Sequence, residues 1–276
     1  MLNMNRNATL ISLSVVLYRD YQTPTAMIRS LMQFTDPELQ FCIIAVDNSN
    51  LTSDNDQLIT ERNRFVEEFS KSQSSAHQFK YIDAHENLGF GRANNRALNI
   101  IDSQYHVFVN PDVLFINDSL SALKLFMDTH PDVGMCIPKI LDTNGKMQKV
   151  YRQDVTVLDA FNRMILKNKM HKRDCWHTMS DQDYTQPFRV PFGQGSFLFA
   201  RTNLIKQLGG FDNSFFMYLE DADLCRRVNQ VSKLVYCPDA VVIHKWKRES
   251  HKKMKLLKEH LKSYIIYFKK WGIKFF

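Results

Sequence analysis

The stretch Tyr105–Val113, YHVFVNPDV, decides the fold. Its β-branched and aromatic residues favour a buried strand, and Pro111 ends that strand. Asp112 would then stand at the carboxyl edge of an α/β sheet, where such sheets bind ligands. Carboxylate oxygens suit a hard cation such as Mn²⁺ or Mg²⁺, and such ions usually carry phosphates. A plain Asn-Pro-Asp turn explains the same residues, so the neighbouring stretches must decide.

Two apolar runs before this stretch predict further strands of the same sheet. TLISLSVVLY at Thr9–Tyr18 and FCIIAV at Phe41–Val46 each fit a strand buried on both faces. A helical pattern with Pro24 in its first turn separates them, which indicates a right-handed parallel crossover. Asp47 follows the second run and would lie at the same carboxyl edge. A turn residue or helix cap is the competing interpretation of Asp47.

Glycine residues open the next helix, in the stretch ENLGFGRANNRAL at Glu86–Leu98. They permit a tight turn and close approach of the backbone. The dinucleotide fingerprint is absent, because Asn94 occupies the position of its third glycine. The helix N-terminus together with Arg92 can still hold an anionic group. An ordinary helix entry that contains glycine explains the same pattern.

The segment FFMYLEDADLCRR at Phe215–Arg227 carries three carboxylates within four residues: Glu220, Asp221 and Asp223. Their spacing predicts the start of a helix, and acidic residues in a first turn are favoured by the helix dipole alone. The functional interpretation is that one carboxylate acts as a general base toward a substrate.

Two more strands are predicted in this half of the chain. FGQGSFLFA at Phe192–Ala200 begins with a glycine-rich backbone and continues as a strand, and Val235–Ile243 is the last strand region. His244 follows that last strand. An imidazole there suits a metal site, although a lone histidine is more often structural.

Composition places the chain among ordinary globular proteins. It has 276 residues, 44% hydrophobic and 24% charged, which is enough for one large α/β domain with an appendage. It contains neither an apolar run long enough to span a membrane nor a signal-peptide core. The five cysteines lack CxxC spacing, which indicates reduced thiols and a cytoplasmic location.

The positive charge is concentrated at the C-terminus. Residues 245–276 hold eleven Lys or Arg against two Glu, a local charge of +9 that leaves −2 for residues 1–244. Nucleic-acid binding is not expected, because the main domain is not basic. Apolar residues recur at helical spacing in the tail: Met254, Leu257, Leu261, Tyr264, Ile265, Phe268 and Trp271. This pattern is typical of a helix on an anionic membrane surface; packing on the domain, or in a homodimer, is equally consistent.

Seven motifs in order resemble one family. They are SVVLYRD, VDNSN, ENLGFGRANNRAL, VNPDV, GSFLFART, LGGFDNSFFMYLEDADLCRR and VIHK, and they cover residues 10–246. Together they resemble the inverting family-2 glycosyltransferases, and most of all the bacterial rhamnosyltransferases of O-antigen and related polysaccharide assembly.

The resemblance implies an α/β fold of the GT-A type, a mainly parallel central sheet flanked by helices. Residues 1–244 would form the transferase domain, with a nucleotide-binding half at about 1–115 and an acceptor and catalytic half at about 116–244. Residues 245–276 would form a basic amphipathic helical tail.

The resemblance also implies roles for single residues. Asp221 would be the catalytic base, with Glu220 beside it, and Asp112 with His244 would hold Mn²⁺ or Mg²⁺. Asn110 stands where the family's metal motif usually begins with a carboxylate, which removes one negative charge. The nucleotide-sugar pocket would comprise Tyr18, Asp47, Asn87, Arg92, Asn95, Asn110, Asp112, Arg152 and Gly195.

The implied reaction moves a sugar from a nucleoside diphosphate, with dTDP-L-rhamnose as the preferred donor, to a polyprenyl-linked saccharide at the cytoplasmic membrane surface. Galactofuranose, N-acetylglucosamine and glucose are alternative sugars. A metal-dependent nucleotidyltransferase or nucleotide-sugar hydrolase can use the same sheet edge. A non-catalytic partner in an assembly complex is a further alternative, which the clustered carboxylates disfavour.

Overall fold

The fold is given by a computed structural model, which describes residues 10–52, 54–166, 168–245 and 254–276, with side chains from 256 onward in the last range. The strands are β1 Ile11–Leu17, β2 Phe41–Asp47, β3 His77–Asp83, β4 Tyr105–Val109, β5 Val113–Phe115, β6 Met135–Leu141, β7 Tyr151–Arg152, β8 Phe188–Arg189, β9 Phe192–Gly193, β10 Phe197–Arg201 and β11 Leu234–His244. The helices are α1 Gln22–Phe34, α2 Asp56–Lys71, α3 Phe90–Leu98, α4 Ser119–Thr129, α5 Val157–Met164, α6 His171–His177, α7 Thr202–Gln207, α8 Glu220–Val231 and α9 Met254–Trp271.

The central sheet has the order β3-β2-β1-β4-β10-β6-β11-β5, and β8 pairs with β11. Strands β3, β2, β1 and β4 are parallel, as predicted from the two apolar runs and the helix between them. Leu17 aligns with Asp47, and Val15 aligns with Val109. The carboxyl ends of β1, β2 and β4 therefore meet at one edge of the sheet.

The first half of the sheet is fully parallel, and the second half mixes the two directions, because β11 pairs with β6 in parallel. Strand β10 is antiparallel to both β4 and β6, and β5 is antiparallel to β11. An apolar run predicts a strand but carries no sign of its direction. The antiparallel pairing has a consequence for the site, since it places the residues before Phe197 opposite Val109, at the same edge.

Helix α3 is fixed to the sheet by a buried amide. The side chain of Asn94 accepts a hydrogen bond from Ser14 Oγ at 2.6 Å and donates to the Phe90 carbonyl at 3.1 Å. Ser14 in turn contacts the buried imidazole of His106 at 3.0 Å. The residue at the third position of the glycine pattern therefore anchors the helix, where a glycine could make no such contact.

Helix α9 packs one face against the domain and leaves another exposed. Tyr267 and Ser263 are buried, and Ser263 Oγ donates to the Met217 carbonyl at 2.7 Å. Leu257, Leu261 and Ile265 are exposed on the same helix. Among the described residues, no helix is long and apolar enough to cross a bilayer.

Candidate active site

Hydrogen bonds link the predicted metal motif and the predicted base at the sheet edge. The backbone N–H of Asn110, which follows β4, donates to the Ser196 carbonyl at 2.9 Å. The preceding residue, Gly195, donates its N–H to Asp221 Oδ2 at 2.8 Å. The segment 195–196 therefore lies between the two carboxylates: it binds the residue two before Asp112 on one side and Asp221 on the other. The sequence placed them far apart in the chain, and the antiparallel β10 brings them together.

The two residues predicted to hold a metal ion, Asp112 and His244, are in contact. Oδ1 of Asp112 lies 3.2 Å from Nε2 of His244. Strand β11 ends opposite β5, with His244 aligned to Val113, which holds the two side chains in register. The two side chains are therefore adjacent; that they hold a metal ion stays a prediction.

Gln148 orients the imidazole of His244 so that Nε2 is the ring nitrogen that faces Asp112. Its Nε2 donates to the His244 carbonyl at 2.6 Å, so its Oε1, 3.0 Å from His244 Nδ1, accepts the ring proton. Nε2 is then the ring nitrogen that faces the Asp112 carboxylate. Metal-binding histidines commonly have their other ring nitrogen held by an acceptor in this way. The donor set thus fits a divalent metal ion.

In the described part of the chain, no three or more His, Cys, Asp and Glu side chains gather as a metal site. A metal ion held by Asp112 and His244 would therefore need further oxygen ligands from a substrate. Mn²⁺ and Mg²⁺ are commonly held in this way, by one or two protein ligands plus phosphate oxygens.

The carboxylates of α8 differ sharply in their surroundings. Glu220 is buried, and its Oε2 has no hydrogen-bond partner among the described residues. Burial, and then the charge of Asp221, raises the pKa of Glu220 well above its usual range. Burial also raises the pKa of Asp221, against the N–H groups of Gly195 and Ala222, which favour its charged form. Two N–H groups thus stabilise the charged form of Asp221, whereas Oε2 of Glu220 has no such donor in the described part of the chain.

Two strained residues precede this pair. Tyr218 and Leu219 adopt positive φ angles of 71° and 62°. Such angles are uncommon for residues other than glycine and are found at functional sites. The turn is joined to α3, where the Phe90 N–H donates to the Phe216 carbonyl at 3.1 Å and a side chain at Gly89 would collide with that carbonyl. The entry of α3 therefore supports the segment that presents Asp221.

Asp47, at the carboxyl end of β2, already accepts hydrogen bonds from two side chains. Its Oδ2 accepts hydrogen bonds from the hydroxyls of Tyr21 and Tyr81, each at 2.6 Å, and it is 2% exposed. Both tyrosine pKa values are raised, chiefly by burial and then by this hydrogen bond. Tyr18 is exposed beside it and is free to contact a base. In this geometry Asp47 holds the two tyrosine side chains in place. Its direct contact with a nucleotide base stays a prediction.

The three polar residues of the glycine-rich stretch also hold the local structure. Asn87 Oδ1 accepts from the Gly89 N–H at 3.0 Å, and Arg92 Nε donates to the Asn213 carbonyl at 2.9 Å. Asn95 donates to the Phe211 carbonyl at 2.8 Å and accepts from the Phe211 N–H at 2.9 Å. Arg92 and Asn87 are exposed, so both remain accessible to a ligand.

Sequence reasoning missed Gln148, Tyr21 and Tyr81, which act through a histidine or a carboxylate. It also left Gln194 Oε1 and Ser196 Oγ unassigned. Both atoms are buried without a hydrogen-bond partner among the described residues, beside Gly195. No sequence pattern pointed to these five residues. Gln148, Tyr21 and Tyr81 act on partners far away in the chain, and Gln194 and Ser196 are distinguished only by their burial in the fold. The unpartnered atoms mark the Gly195 turn as a place where a ligand can bind.

The family model of Glycosyl transferase family 2 matches residues 12–208, more than half of the chain. The chain belongs to this family. The match ends before Glu220, so the carboxylates of α8 are placed by the hydrogen bonds described above. The resemblance drawn from the seven motifs is confirmed at the level of the family.

Two curated relatives and one solved structure are similar to the chain. The N-acetylglucosaminyl-diphospho-decaprenol L-rhamnosyltransferase of Mycobacterium tuberculosis is 31% identical over 172 residues, which cover 57% of this chain and 56% of the relative. The rhamnosyltransferase WbbL of Escherichia coli K12 is 27% identical over 168 residues, 56% of this chain and 60% of the relative. The chain thus spans little more than half the length of these relatives.

The solved structure is mannosyltransferase PcManGT of Pyrobaculum calidifontis, in complex with GDP-Man and Mn²⁺. The TM-score is 0.61 at 16% identity, and the alignment covers 96% of this chain and 65% of that one. At this identity the likeness concerns the fold, and it agrees with the predicted GT-A type.

Proposed function

We propose that the protein is an inverting glycosyltransferase that moves a sugar, with L-rhamnose as the preferred candidate, from a nucleoside diphosphate to a saccharide on a polyprenyl diphosphate. The main observation behind this proposal is that two carboxylates with different surroundings, Asp112 and Asp221, lie at the same edge of the sheet. Asp112 contacts His244. Asp221 accepts a hydrogen bond from the Gly195 N–H, and the next residue, Ser196, accepts one from the N–H of Asn110. The names of the two curated relatives support the choice of rhamnose and of the lipid-linked acceptor.

The proposed reaction is a single displacement. The oxygen of an acceptor hydroxyl bonds to the anomeric carbon while the bond from that carbon to the diphosphate oxygen breaks. The nucleoside diphosphate leaves with the electron pair, and Asp221 takes the hydroxyl proton. Attack from the face opposite the leaving group inverts the anomeric configuration.

The residues that would hold a metal ion are Asp112 and His244, with Gln148 orienting the imidazole. When bound, Mn²⁺ or Mg²⁺ supplies positive charge against the diphosphate leaving group. Asn110 contributes no charge there, so this site carries one carboxylate where the family's usual motif carries two. The exposed Arg92 is placed to add positive charge from the N-terminus of α3.

A nucleotidyltransferase or a nucleotide-sugar hydrolase would use the same edge without a sugar acceptor. The position of Asp221 supports transfer, since a base held apart from Asp112 and His244 is suited to activating a second substrate. A product assay separates the three activities. A transferase forms a glycoside when the acceptor is supplied and releases free sugar slowly, a hydrolase cleaves the nucleotide sugar without an acceptor, and a nucleotidyltransferase makes the nucleotide sugar.

The donor is identified by thermal unfolding with a panel of nucleotide sugars, with and without Mn²⁺. A ligand at 100-fold its Kd stabilises the native state by about 2.7 kcal/mol, a rise in Tm of about 5–10 °C. We expect dTDP-L-rhamnose with Mn²⁺ to give the largest rise and Asp112→Asn to lose the Mn²⁺-dependent part. A larger rise with another nucleotide sugar would replace rhamnose, and no rise with any of them would remove the donor site.

We also propose that the exposed face of α9 contacts an anionic membrane surface. Leu257, Leu261 and Ile265 lie one turn apart on this helix, and Lys258, Lys262 and Lys269 are exposed beside them. Apolar residues flanked by lysines suit the headgroup boundary of anionic lipids. A lipid-linked acceptor would bring the enzyme to such a surface.

Replacing Leu257, Leu261 and Ile265 together by Gln should weaken binding to phosphatidylglycerol vesicles about tenfold or more, because apolar area no longer leaves water. Cosedimentation measures this, with Leu125→Gln, an exposed leucine of α4, as the matched control. Unchanged binding would count against the proposal. A wild-type dimer that the triple variant dissociates would assign the face to a second copy.

A further inference from the structure

Helix α9 contacts the segment that leads into the predicted base. Ser263, which is 2% exposed, donates from Oγ to the Met217 carbonyl at 2.7 Å. The imidazole of His260, three residues earlier in α9, is stacked on the ring of Tyr218, with 4.4 Å between the centroids and 24° between the planes. The two contacts fall on consecutive residues, four and three positions before Asp221. They therefore hold both the backbone and a side chain of the turn that precedes α8.

A second set of contacts lies on the other side of the base, at Asp223. The indole N–H of Trp271 donates to Oδ1 of Asp223 at 2.9 Å, and Nζ of Lys270 lies 2.8 Å from the same oxygen. Asp223 is fully buried and lies two residues after Asp221, in the first turn of α8. Helix α9 therefore contacts the chain both before and after the predicted base.

The turn before α8 needs such support because its backbone is strained. Tyr218 and Leu219 both have positive φ angles, which residues other than glycine adopt at a cost. Strain of this kind persists only where the surrounding structure fixes the backbone. The N–H of Phe90 in α3 binds the carbonyl of Phe216. The contacts of Ser263 and His260 fall on the two residues that follow, so α3 and α9 hold the strained turn together.

The position of this turn determines where Asp221 lies. The Asp223 N–H donates to the Leu219 carbonyl at 2.9 Å, so the first turn of α8 starts from a strained residue. Asp221 lies between these two residues, and its Oδ2 accepts from the Gly195 N–H at 2.8 Å. A backbone change at Tyr218 or Leu219 would therefore move the carboxylate relative to Gly195 and to an acceptor hydroxyl. A misplacement of about 1 Å can lower a rate about 100-fold.

We propose that α9 is a positioning element of the active site, in which His260 and Ser263 hold the turn at residues 217–219 so that Asp221 faces the acceptor hydroxyl. This inference rests on the proposed glycosyltransferase function. His260 and Ser263 then act through Asp221 and need no contact with either substrate. The predicted metal ligands belong to other parts of the fold, after β4 and at the end of β11. Loss of the two α9 contacts should therefore lower kcat and leave donor binding unchanged.

The test compares wild type with the double variant His260→Ala, Ser263→Ala, well below the Tm of each protein. Initial rates are measured with Mn²⁺, dTDP-L-rhamnose or the nucleotide sugar that replaces it in the thermal unfolding panel, and N-acetylglucosaminyl diphosphate carrying a short alkyl chain. We expect kcat to fall about tenfold or more, with the donor KM changed less than about twofold. His260→Phe, which keeps an aromatic ring against Tyr218, should retain most of the wild-type kcat. Hydrogen exchange of the amides at 217–223 should be faster in the double variant.

His130→Ala is the matched control, since it removes an exposed histidine that is stacked on Phe126 of α4 at 4.3 Å and 20°. It should keep the wild-type kcat and the wild-type exchange at 217–223. A double variant with a lower Tm but the wild-type kcat would show that α9 only stabilises the domain, and this would overturn the inference. An effect confined to the donor KM would overturn it as well. Should the double variant fail to fold, Ser263→Ala alone decides the matter by the same two measurements.

Failure of the proposed function gives a different result. If Asp221→Asn abolishes transfer and the double variant keeps the wild-type kcat, the function stands and the positioning by α9 is wrong. Near-normal transfer by Asp221→Asn would remove both. If wild type transfers sugar from no nucleotide sugar and exchange at 217–223 is still faster in the double variant, α9 holds the turn and the proposed function is wrong.

Discussion

Replacing Asp221 by Asn is expected to lower sugar transfer about 100-fold or more while leaving the fold and nucleotide binding intact. The amide has nearly the shape of the carboxylate, but it cannot take the proton of an acceptor hydroxyl. Initial rates of glycoside formation, measured with saturating donor and acceptor, give the effect on kcat.

The structural cost of this substitution should be small. Asp221 accepts hydrogen bonds from Gly195 N–H at 2.8 Å and Ala222 N–H at 2.9 Å, one on each oxygen. An amide keeps one acceptor and turns its NH₂ toward the other donor, at a cost of about 1 kcal/mol. Melting temperature and nucleotide affinity should therefore stay close to wild type. Asp102→Asn, an exposed carboxylate before β4, is the matched control.

The pH profile provides a second readout. A general base acts in its deprotonated form, and burial raises the pKa of Asp221. Transfer by wild type should therefore fall as the pH falls through this raised pKa, above the range of an ordinary aspartate. Asp221→Asn should lose that acidic limb along with its rate. Near-normal transfer by the variant, or a limb that survives the substitution, would assign the base to another group.

The sequence was informative wherever a residue's position depends on its own strand. Apolar runs predicted β1, β2, β4 and β11, and the residue after each of these strands could be placed at an edge without knowing its neighbours. Asp47, Asp112 and His244 were found in this way. The meeting of Asp112 and His244 then followed from the antiparallel pairing of β5 with β11.

Residues whose roles depend on a distant partner could not be predicted. Gln148 matters because its amide reaches His244, and nothing in its local sequence indicates that contact. Arg152 was expected in the nucleotide-sugar pocket, and this stays a prediction; nothing in the sequence indicated that its side chain would be buried over Phe192. The three carboxylates of α8 formed one sequence cluster, yet their surroundings separate them. Glu220 is buried with its Oε2 unpartnered among the described residues, Asp221 accepts two N–H hydrogen bonds, and Asp223 binds α9.

Replacing Asp223 by Ala should lower the free energy of unfolding by about 3 kcal/mol, because it leaves buried donors without an acceptor. Asp223 is fully buried and binds Arg227 at 2.8 Å, Lys270 at 2.8 Å and the indole N–H of Trp271 at 2.9 Å. The last two belong to α9. Arg227 keeps its bonds to the Leu208 and Gly210 carbonyls, which places the loss at the lower end of the range for broken buried pairs.

Thermal unfolding should show a fall in Tm of about 5–10 °C for Asp223→Ala. Asp212→Asn is the matched control: it weakens the partly exposed contact with Lys270 at 2.6 Å and should cost about 1 kcal/mol or less. Loss of the Asp223 contacts should also loosen the end of α9 that carries Lys270 and Trp271. A variant that melts with wild type would show that α9 is held by its apolar face alone.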